Sequence, residues 1–109
     1  MENESIREVS FKEAVEISEK GKRQIIWLGR EPASYISDIL GLESGSISKK
    51  NPEEIVYMEK SELKDLEKSV LLCYHGNTSG FISKFLMKQH AIETYSLKGG
   101  ITAIVGEIF

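Results

Sequence analysis

The sequence predicts a single α/β domain with a mainly parallel central sheet of about five strands and helices on both faces. Short apolar runs with strand character alternate along the chain with segments of helical period, an order typical of parallel sheets. Residues 70–73 (Val-Leu-Leu-Cys) are continuously apolar, as expected of a strand buried on both faces. The chain has 109 residues, 40% of them apolar, and no linker or repeat, so we expect residues 1–109 to form one domain.

Local signals place the individual elements. Ser10 and Glu13 have the spacing of a capping box that begins a helix, and Gly21 is suited to end it. Pro32 suits the first turn of a short helix that ends near Gly41. Strands are predicted at residues 6–9, 24–28, 46–48, 70–73 and 92–97, helices at 11–21, 32–41, 62–66 and from 79 onward, and residues 53–58 fit either a helix or a strand.

Two of these helices carry further expectations. Residues 62–66 are predicted to form one or two turns of solvent-exposed helix. The helix that begins near residue 79 is amphipathic, and its predicted core-facing stripe is Phe81, Ile82, Phe85 and Leu86. Ser83, Lys84, Lys88 and Gln89 are predicted to lie on the opposite, polar face.

Composition excludes several classes of function. The net charge of -3 gives no electrostatic reason to expect binding to nucleic acid or to an anionic membrane. No window approaches the roughly 20 apolar residues of a membrane span, and residues 1–5 lack the features of a signal peptide. We therefore expect a cytoplasmic protein. A single cysteine excludes an intramolecular disulfide and a zinc site built from paired thiolates, so no metal site is predicted.

That cysteine, Cys73, ends the buried strand and begins a small polar loop that leads into the amphipathic helix. Ligand sites in parallel sheets gather at the carboxyl ends of strands. The following helix offers unpaired N–H groups and the positive end of its dipole. Gly76 and Asn77 tolerate positive φ, which lets the loop turn its amides inward as an anion-binding nest. This setting favours a thiolate nucleophile that meets an anionic substrate, whereas the alternative is a buried structural cysteine.

The loop resembles the active-site loop of rhodanese-like sulfurtransferases, with the pattern Cys-x-x-Gly-x-Thr/Arg filled by Cys73, Gly76 and Thr78. The sequence of residues 73–77, Cys-Tyr-His-Gly-Asn, is especially similar to that of small single-domain thiosulfate sulfurtransferases. Two flanking segments agree in order and spacing. Arg30-Glu31-Pro32 with Tyr35 resembles the family's Arg-Glu-Pro-x-x-Tyr segment, and residues 97–101 resemble its Leu-x-Gly-Gly turn.

The resemblance implies a rhodanese-like fold and two-step sulfur transfer through a Cys73 persulfide, without a metal or an organic cofactor. The implied donor is thiosulfate or a related sulfane compound, and the acceptor is a thiol or a thiol-protein. The implied substrate-binding residues are Tyr74, His75, Gly76, Asn77, Thr78, Ser79 and Arg30. For His75 a loop-shaping role and a general-base role remain open, and Arg30 either forms a structural ion pair or reaches the substrate.

Departures from the family pattern affect the end of the second strand and the rim of the pocket. Leu28 stands where the family usually has Asp, residues 38–41 replace His-Ile-Pro-Gly, and Ile104 takes the place of a common Trp. These differences bear on substrate choice and leave the loop that begins at Cys73 unchanged. The sequence sets neither the physiological donor and acceptor nor the oligomeric state.

Three other functions compete with sulfur transfer by an enzyme. A phosphatase or arsenate reductase of related fold also uses a cysteine loop at a helix N-terminus, but it needs an Arg six positions after the cysteine, where this chain has Ser79. A non-enzymatic rhodanese-like module would bind a partner or regulate, although such modules usually lack the cysteine. A sulfur carrier that receives its persulfide from a partner protein lies between the two.

Overall fold

A five-stranded, fully parallel sheet forms the centre of the structure, a computed structural model that describes residues 7–106. The strands are β1 (Glu8–Val9), β2 (Ile25–Trp27), β3 (Ile47–Lys49), β4 (Val70–Leu72) and β5 (Tyr95–Leu97), in the spatial order β1-β5-β4-β2-β3. The helices are α1 (Phe11–Gly21), α2 (Ala33–Leu40), α3 (Pro52–Tyr57), α4 (Lys60–Leu63), α5 (Asn77–His90) and α6 (Thr102–Val105), and a 3-10 turn (Lys64–Leu66) follows α4. The predicted α/β class is confirmed. Residues 1–6, including Ile6 of the predicted first strand, and residues 107–109 lie outside the described range.

Alternation along the strands divides the core into two clusters, one on each face of the sheet. On β4, Val70 and Leu72 belong to the first cluster, which packs under α1, α2 and α6. Leu71 and Cys73 belong to the second cluster, where they meet Ile82 of α5. The second cluster also includes buried residues of α3 and α4. Cys73 therefore points toward the face covered by α5.

Side-chain caps define where several helices begin. Ser10 and Glu13 form the predicted capping box at the start of α1. Residues 53–58, which fit either type of element by sequence, belong mostly to helix α3. There the Asn51 side chain accepts from the Glu53 N–H, the Glu54 side chain accepts from the Asn51 N–H, and Pro52 occupies the first turn. These local bonds account for the helix.

Two expectations about helix faces were wrong at particular residues. The segment predicted to be solvent-exposed at residues 62–66 buries Leu63 and Leu66 in the second cluster. On α5, Phe81 is 63% exposed, whereas Ser83, predicted to be on the polar face, is buried. Ile82 and Leu86 are buried as predicted, and the buried face also includes Ser79, Gly80 and Ser83. Lys84, Lys88 and Gln89 are exposed, as predicted. Ser83 tolerates burial because its hydroxyl bonds to both oxygens of Thr94.

The turn between β5 and α6 supports the end of β4. The N–H groups of Ile101 and Thr102 donate to the carbonyls of Cys73 and Tyr74 at 2.8 and 3.1 Å. Gly100 lies beneath these carbonyls with φ of +69°, and a Cβ at this position would lie 2.4 Å from the carbonyl oxygen of Tyr74. The close approach explains why a glycine is needed here.

Among residues 7–106, no helix has the length and apolarity of a membrane span.

We predict that Gly100→Ala is destabilising beyond the strain of its backbone conformation. Gly41→Ala is the matched control, because Gly41 has φ of +71° but open space around its would-be Cβ. Both variants lose about 1–2 kcal/mol through left-handed strain. Gly100→Ala loses roughly 1–3 kcal/mol more through overlap with the Cys73 and Tyr74 carbonyls. Urea unfolding measures both free energies, and equal losses would contradict the inferred overlap.

Candidate active site

Cys73 follows β4 directly, at the carboxyl end of the buried strand where the sequence places it. Three residues separate it from Asn77, the first residue of α5. The turn between them depends on Gly76, which has φ of +96° and whose Cβ would lie 3.2 Å from the Gly99 nitrogen. The side chain of Cys73 is 3% exposed. The loop therefore holds the thiol at the rim of the core.

The sulfur of Cys73 accepts two backbone hydrogen bonds from the start of α5. The Gly76 and Ser79 N–H groups lie 3.1 and 3.3 Å from Sγ, and the Ser79 hydroxyl lies 3.4 Å from it. Hydrogen bonds and the positive end of a helix dipole both favour the charged form of an acceptor. The arrangement is suited to a thiolate nucleophile.

The helix begins two residues earlier than predicted, at Asn77 rather than near Ser79. Of the two residues that tolerate positive φ, Gly76 adopts it and Asn77 is helical. Asn77 and Thr78 are exposed in the first turn of α5. Their N–H groups have no acceptor within the helix, because its first four donors lack one. They are available to a ligand beside the sulfur.

A buried pair of hydroxyl groups lies on the core side of the sulfur. Ser79 Oγ is 2.7 Å from Ser96 Oγ, and Ser79 and Ser96 are 0% and 1% exposed. Ser96, on β5, was missed by the sequence reasoning. The signal was a polar residue inside a strand whose neighbours are apolar, since a buried hydroxyl needs a partner.

Tyr74 connects the cysteine loop to the end of β2. Its hydroxyl donates to Glu31 Oε1 at 2.7 Å and accepts from the Arg30 N–H at 2.9 Å. Its ring meets that of Trp27 edge-on at 5.1 Å. Burial raises the pKa of Tyr74 and so does the Glu31 hydrogen bond, while the Arg30 N–H acts in the opposite direction. The hydroxyl remains a donor at neutral pH.

An open depression adjoins the loop and is lined by Arg30, Glu31, Tyr74 and His75. It brings the exposed Arg30 and His75 side chains to one place. Within residues 7–106, no carboxylate forms an ion pair with the Arg30 guanidinium. Leu28, at the usual Asp position, is instead buried in the second cluster. Arg30 therefore lies beside the loop, and the residue at the usual Asp position supplies it with no carboxylate.

Comparison with known proteins rests on structure. No protein-family model matches the sequence, and no curated protein matches it. A rhodanese-related protein from Thermoplasma volcanium is 20% identical, with 94% of each chain covered and a TM-score of 0.55. A rhodanese homologue from Thermus thermophilus is 18% identical, with 90% of this chain and all of that chain covered and a TM-score of 0.60. These likenesses show that the chain has the fold of a rhodanese-like domain.

A third solved structure with this fold is described differently. It is a protein of unknown function from Rhodopseudomonas palustris, described as a possible tyrosine phosphatase. It is 20% identical to this chain, 93% of this chain and 80% of that chain are covered, and the TM-score is 0.64. At this identity the likeness shows the fold alone.

We predict that Tyr74→Phe destabilises the protein by about 1 kcal/mol, because it removes one hydroxyl that makes two hydrogen bonds. Tyr57→Phe is the control, since Tyr57 is 86% exposed, and we expect a change within about 0.5 kcal/mol. Because the pKa of Tyr74 is raised, its contribution is fully present below the ordinary value of 10.0 and is lost as the pH rises above it. Urea unfolding at pH 7 and above pH 10 measures this, and equal losses in both variants would contradict it.

Proposed function

We propose that this protein is a sulfurtransferase in which Cys73 carries sulfane sulfur as a persulfide. The observation that carries the proposal is the pair of N–H groups, from Gly76 and Ser79, that meet the Cys73 sulfur at the start of α5. The rhodanese-like fold supports it. The thiol is the only cysteine in the chain, so a single site would carry the sulfur.

The proposed reaction has two displacement steps. The Cys73 thiolate attacks the outer sulfur of thiosulfate, a new S–S bond forms, and the S–S bond of thiosulfate breaks with its electron pair leaving on sulfite. A thiophilic acceptor then attacks the outer sulfur of the anionic persulfide. The Cys73–sulfur bond breaks, and its electron pair returns to Cys73 as thiolate. Neither step needs a metal or an organic cofactor.

Recognition of an anionic donor is assigned to groups around the loop. The exposed first-turn N–H groups of Asn77 and Thr78 are suited to bind the outer sulfur or the sulfonate oxygens. The side chains of Arg30 and His75 line the adjoining depression. The exposed Arg30 guanidinium is suited to attract an anion that enters this depression. We propose that a cellular thiol or thiol-protein in the cytoplasm is the acceptor.

The phosphatase alternative is less well supported by this site. An Arg six positions after the cysteine would replace Ser79, whose side chain is fully buried and bonded to Ser96. A guanidinium does not fit that place without opening the core. The description of the Rhodopseudomonas palustris protein nevertheless makes phosphate esters the substrates to test first.

We predict that incubation with thiosulfate adds one sulfur atom to the protein, because Cys73 is its sole thiol. Intact-mass measurement should show the adduct, and a reductant should remove it. Cys73→Ser should show neither the adduct nor thiosulfate:cyanide turnover. An adduct or retained turnover in that variant would overturn the assignment. A folded wild-type protein with neither property would favour a binding module or, if a partner protein loads Cys73 with sulfur, a carrier.

We also predict that the protein does not hydrolyse aryl phosphates through Cys73, because Ser79 supplies no cation to the oxygens of phosphate. Hydrolysis of p-nitrophenyl phosphate by the wild type should not exceed that of Cys73→Ser. Turnover that is comparable with sulfur transfer and is abolished in Cys73→Ser would establish the phosphatase alternative instead.

A further inference from the structure

We propose that Ser96 is a positioning residue that acts through the Ser79 hydroxyl to stabilise the Cys73 thiolate. The proposal deepens the proposed function, since it assigns a residue to the formation and release of the persulfide-bearing sulfur. Its basis is a continuous chain of contacts, 2.7 Å from Ser96 Oγ to Ser79 Oγ and 3.4 Å from Ser79 Oγ to Cys73 Sγ.

The sheet fixes the position of Ser96, the member of the pair farther from the sulfur. Ser96 lies on β5 between β1 and β4, and its N–H donates to the Arg7 carbonyl. Ser79 lies on the buried face of α5, and both serines are at most 1% exposed. Because water does not reach these hydroxyls, their hydrogen bonds must be satisfied by one another and by their protein neighbours. The direction in which each hydroxyl points is therefore constrained.

The hydrogen-bond partners within reach determine which way each hydroxyl donates. Within the described part of the chain, the Ser96 hydroxyl has one hydrogen-bond partner, Ser79 Oγ. The Ser79 hydroxyl has two other partners, the Gly76 carbonyl at 3.3 Å and Cys73 Sγ at 3.4 Å. When Ser96 donates to Ser79, the single proton of the Ser79 hydroxyl is left for Gly76 or the sulfur.

The state of the sulfur then selects between these two acceptors. A neutral thiol donates to Ser79 Oγ, and the Ser79 hydroxyl turns to the Gly76 carbonyl. A thiolate is a charged and therefore stronger acceptor, so the Ser79 hydroxyl rotates toward it. No proton passes between heavy atoms. The donor from Ser96 polarises the Ser79 hydroxyl and strengthens this third hydrogen bond to the thiolate.

The same bond bears on the second step of sulfur transfer. When an acceptor removes the outer sulfur, the electron pair of the broken bond returns to Cys73 Sγ. The leaving group is then the thiolate that the Ser79 hydroxyl meets. Loss of the Ser96 donor should therefore lower both the thiolate fraction at neutral pH and the rate of release to the acceptor.

The test is the pH profile of Cys73 alkylation by iodoacetamide, measured on the full-length protein. In Ser96→Ala the midpoint should move to higher pH, and the rate near neutral pH should fall roughly 1.5- to 4-fold, because the Ser79 hydrogen bond to the thiolate is weakened and not lost. Ser83→Ala is the matched control, because Ser83 is also a buried serine that bonds to a hydroxyl, that of Thr94. Its profile should match that of the wild type.

A double-mutant cycle separates a positioning role from a structural one. If Ser96 acts through Ser79, the substitution Ser96→Ala should not shift the profile further in a Ser79→Ala protein. Should Ser96→Ala fail to fold, the pair Ser96→Thr and Ser96→Val replaces it, because the two side chains have the same shape and only Thr keeps a hydroxyl. The alkylation midpoint of Ser96→Thr should then lie at lower pH than that of Ser96→Val.

The titratable and charged groups on the loop and on the elements packed against it remain in place in every variant, so they do not account for a difference between profiles. They are Tyr74 and His75 on the loop, Arg30 and Glu31 after β2, Arg7 and Glu8 at β1, Lys84 and Lys88 on α5, and Tyr95 and Lys98 at β5. An unchanged midpoint in Ser96→Ala, or equal shifts in Ser96→Ala and Ser83→Ala, would overturn the proposal. Alkylation needs no sulfur donor, so a wild type that forms no persulfide would refute the proposed function and leave this test unaffected.

Discussion

The start of α5 imposes one requirement on this end of the molecule, because its first N–H groups need acceptors that the helix cannot supply. The connection from β4 is short, and Gly76 turns it so that two of these donors meet the sulfur of Cys73. A side chain that fills this place must therefore accept hydrogen bonds. A thiolate does so better than a thiol. The same two hydrogen bonds therefore supply acceptors to the helix N-terminus and favour the thiolate form of Cys73.

The loop is also held from two outer sides. The turn that contains Gly100 supports the carbonyls of Cys73 and Tyr74 from β5 and α6. The Tyr74 hydroxyl ties the loop to the backbone of Arg30 and to Glu31 after β2. The three stretches that resemble rhodanese motifs are thus contacts of one site, although they lie far apart in the sequence.

The sequence was sufficient for the fold class, because parallel order follows from alternating elements and from the unbroken apolar run of β4. It was also sufficient to place Cys73 at a strand end. It placed Ile82 and Leu86 on the buried face of α5 correctly but not Phe81 and Ser83, which reverse the usual relation between polarity and burial. The Ser83–Thr94 bond that permits this joins a helix to the residue before β5, and such a pairing leaves no periodic pattern.

The sequence predicted the part of the site that is contiguous in the chain, but not the residues that reach it from distant segments. Residues 73–79 are contiguous, so their chemistry and order are visible in the sequence. Ser96 and Glu31 meet the loop only through the folding of the sheet. The start of α5 was placed two residues late because Asn77 and Thr78 suit a loop by propensity, and helix ends are poorly defined by propensity alone.

Membership of Cys73 in the second core cluster has a consequence for protein engineering. Its neighbours there include Ile26, Leu71 and Ile82, so any repacking of that cluster displaces the sulfur against its hydrogen-bond donors. Thermostabilising substitutions in this half of the interior are thereby coupled to the position of the sulfur. The other cluster, beneath α1 and α2, does not contain the sulfur. Directed evolution for heat tolerance should find its neutral changes on that side of the sheet, away from Trp27 and Ile101, which contact the loop.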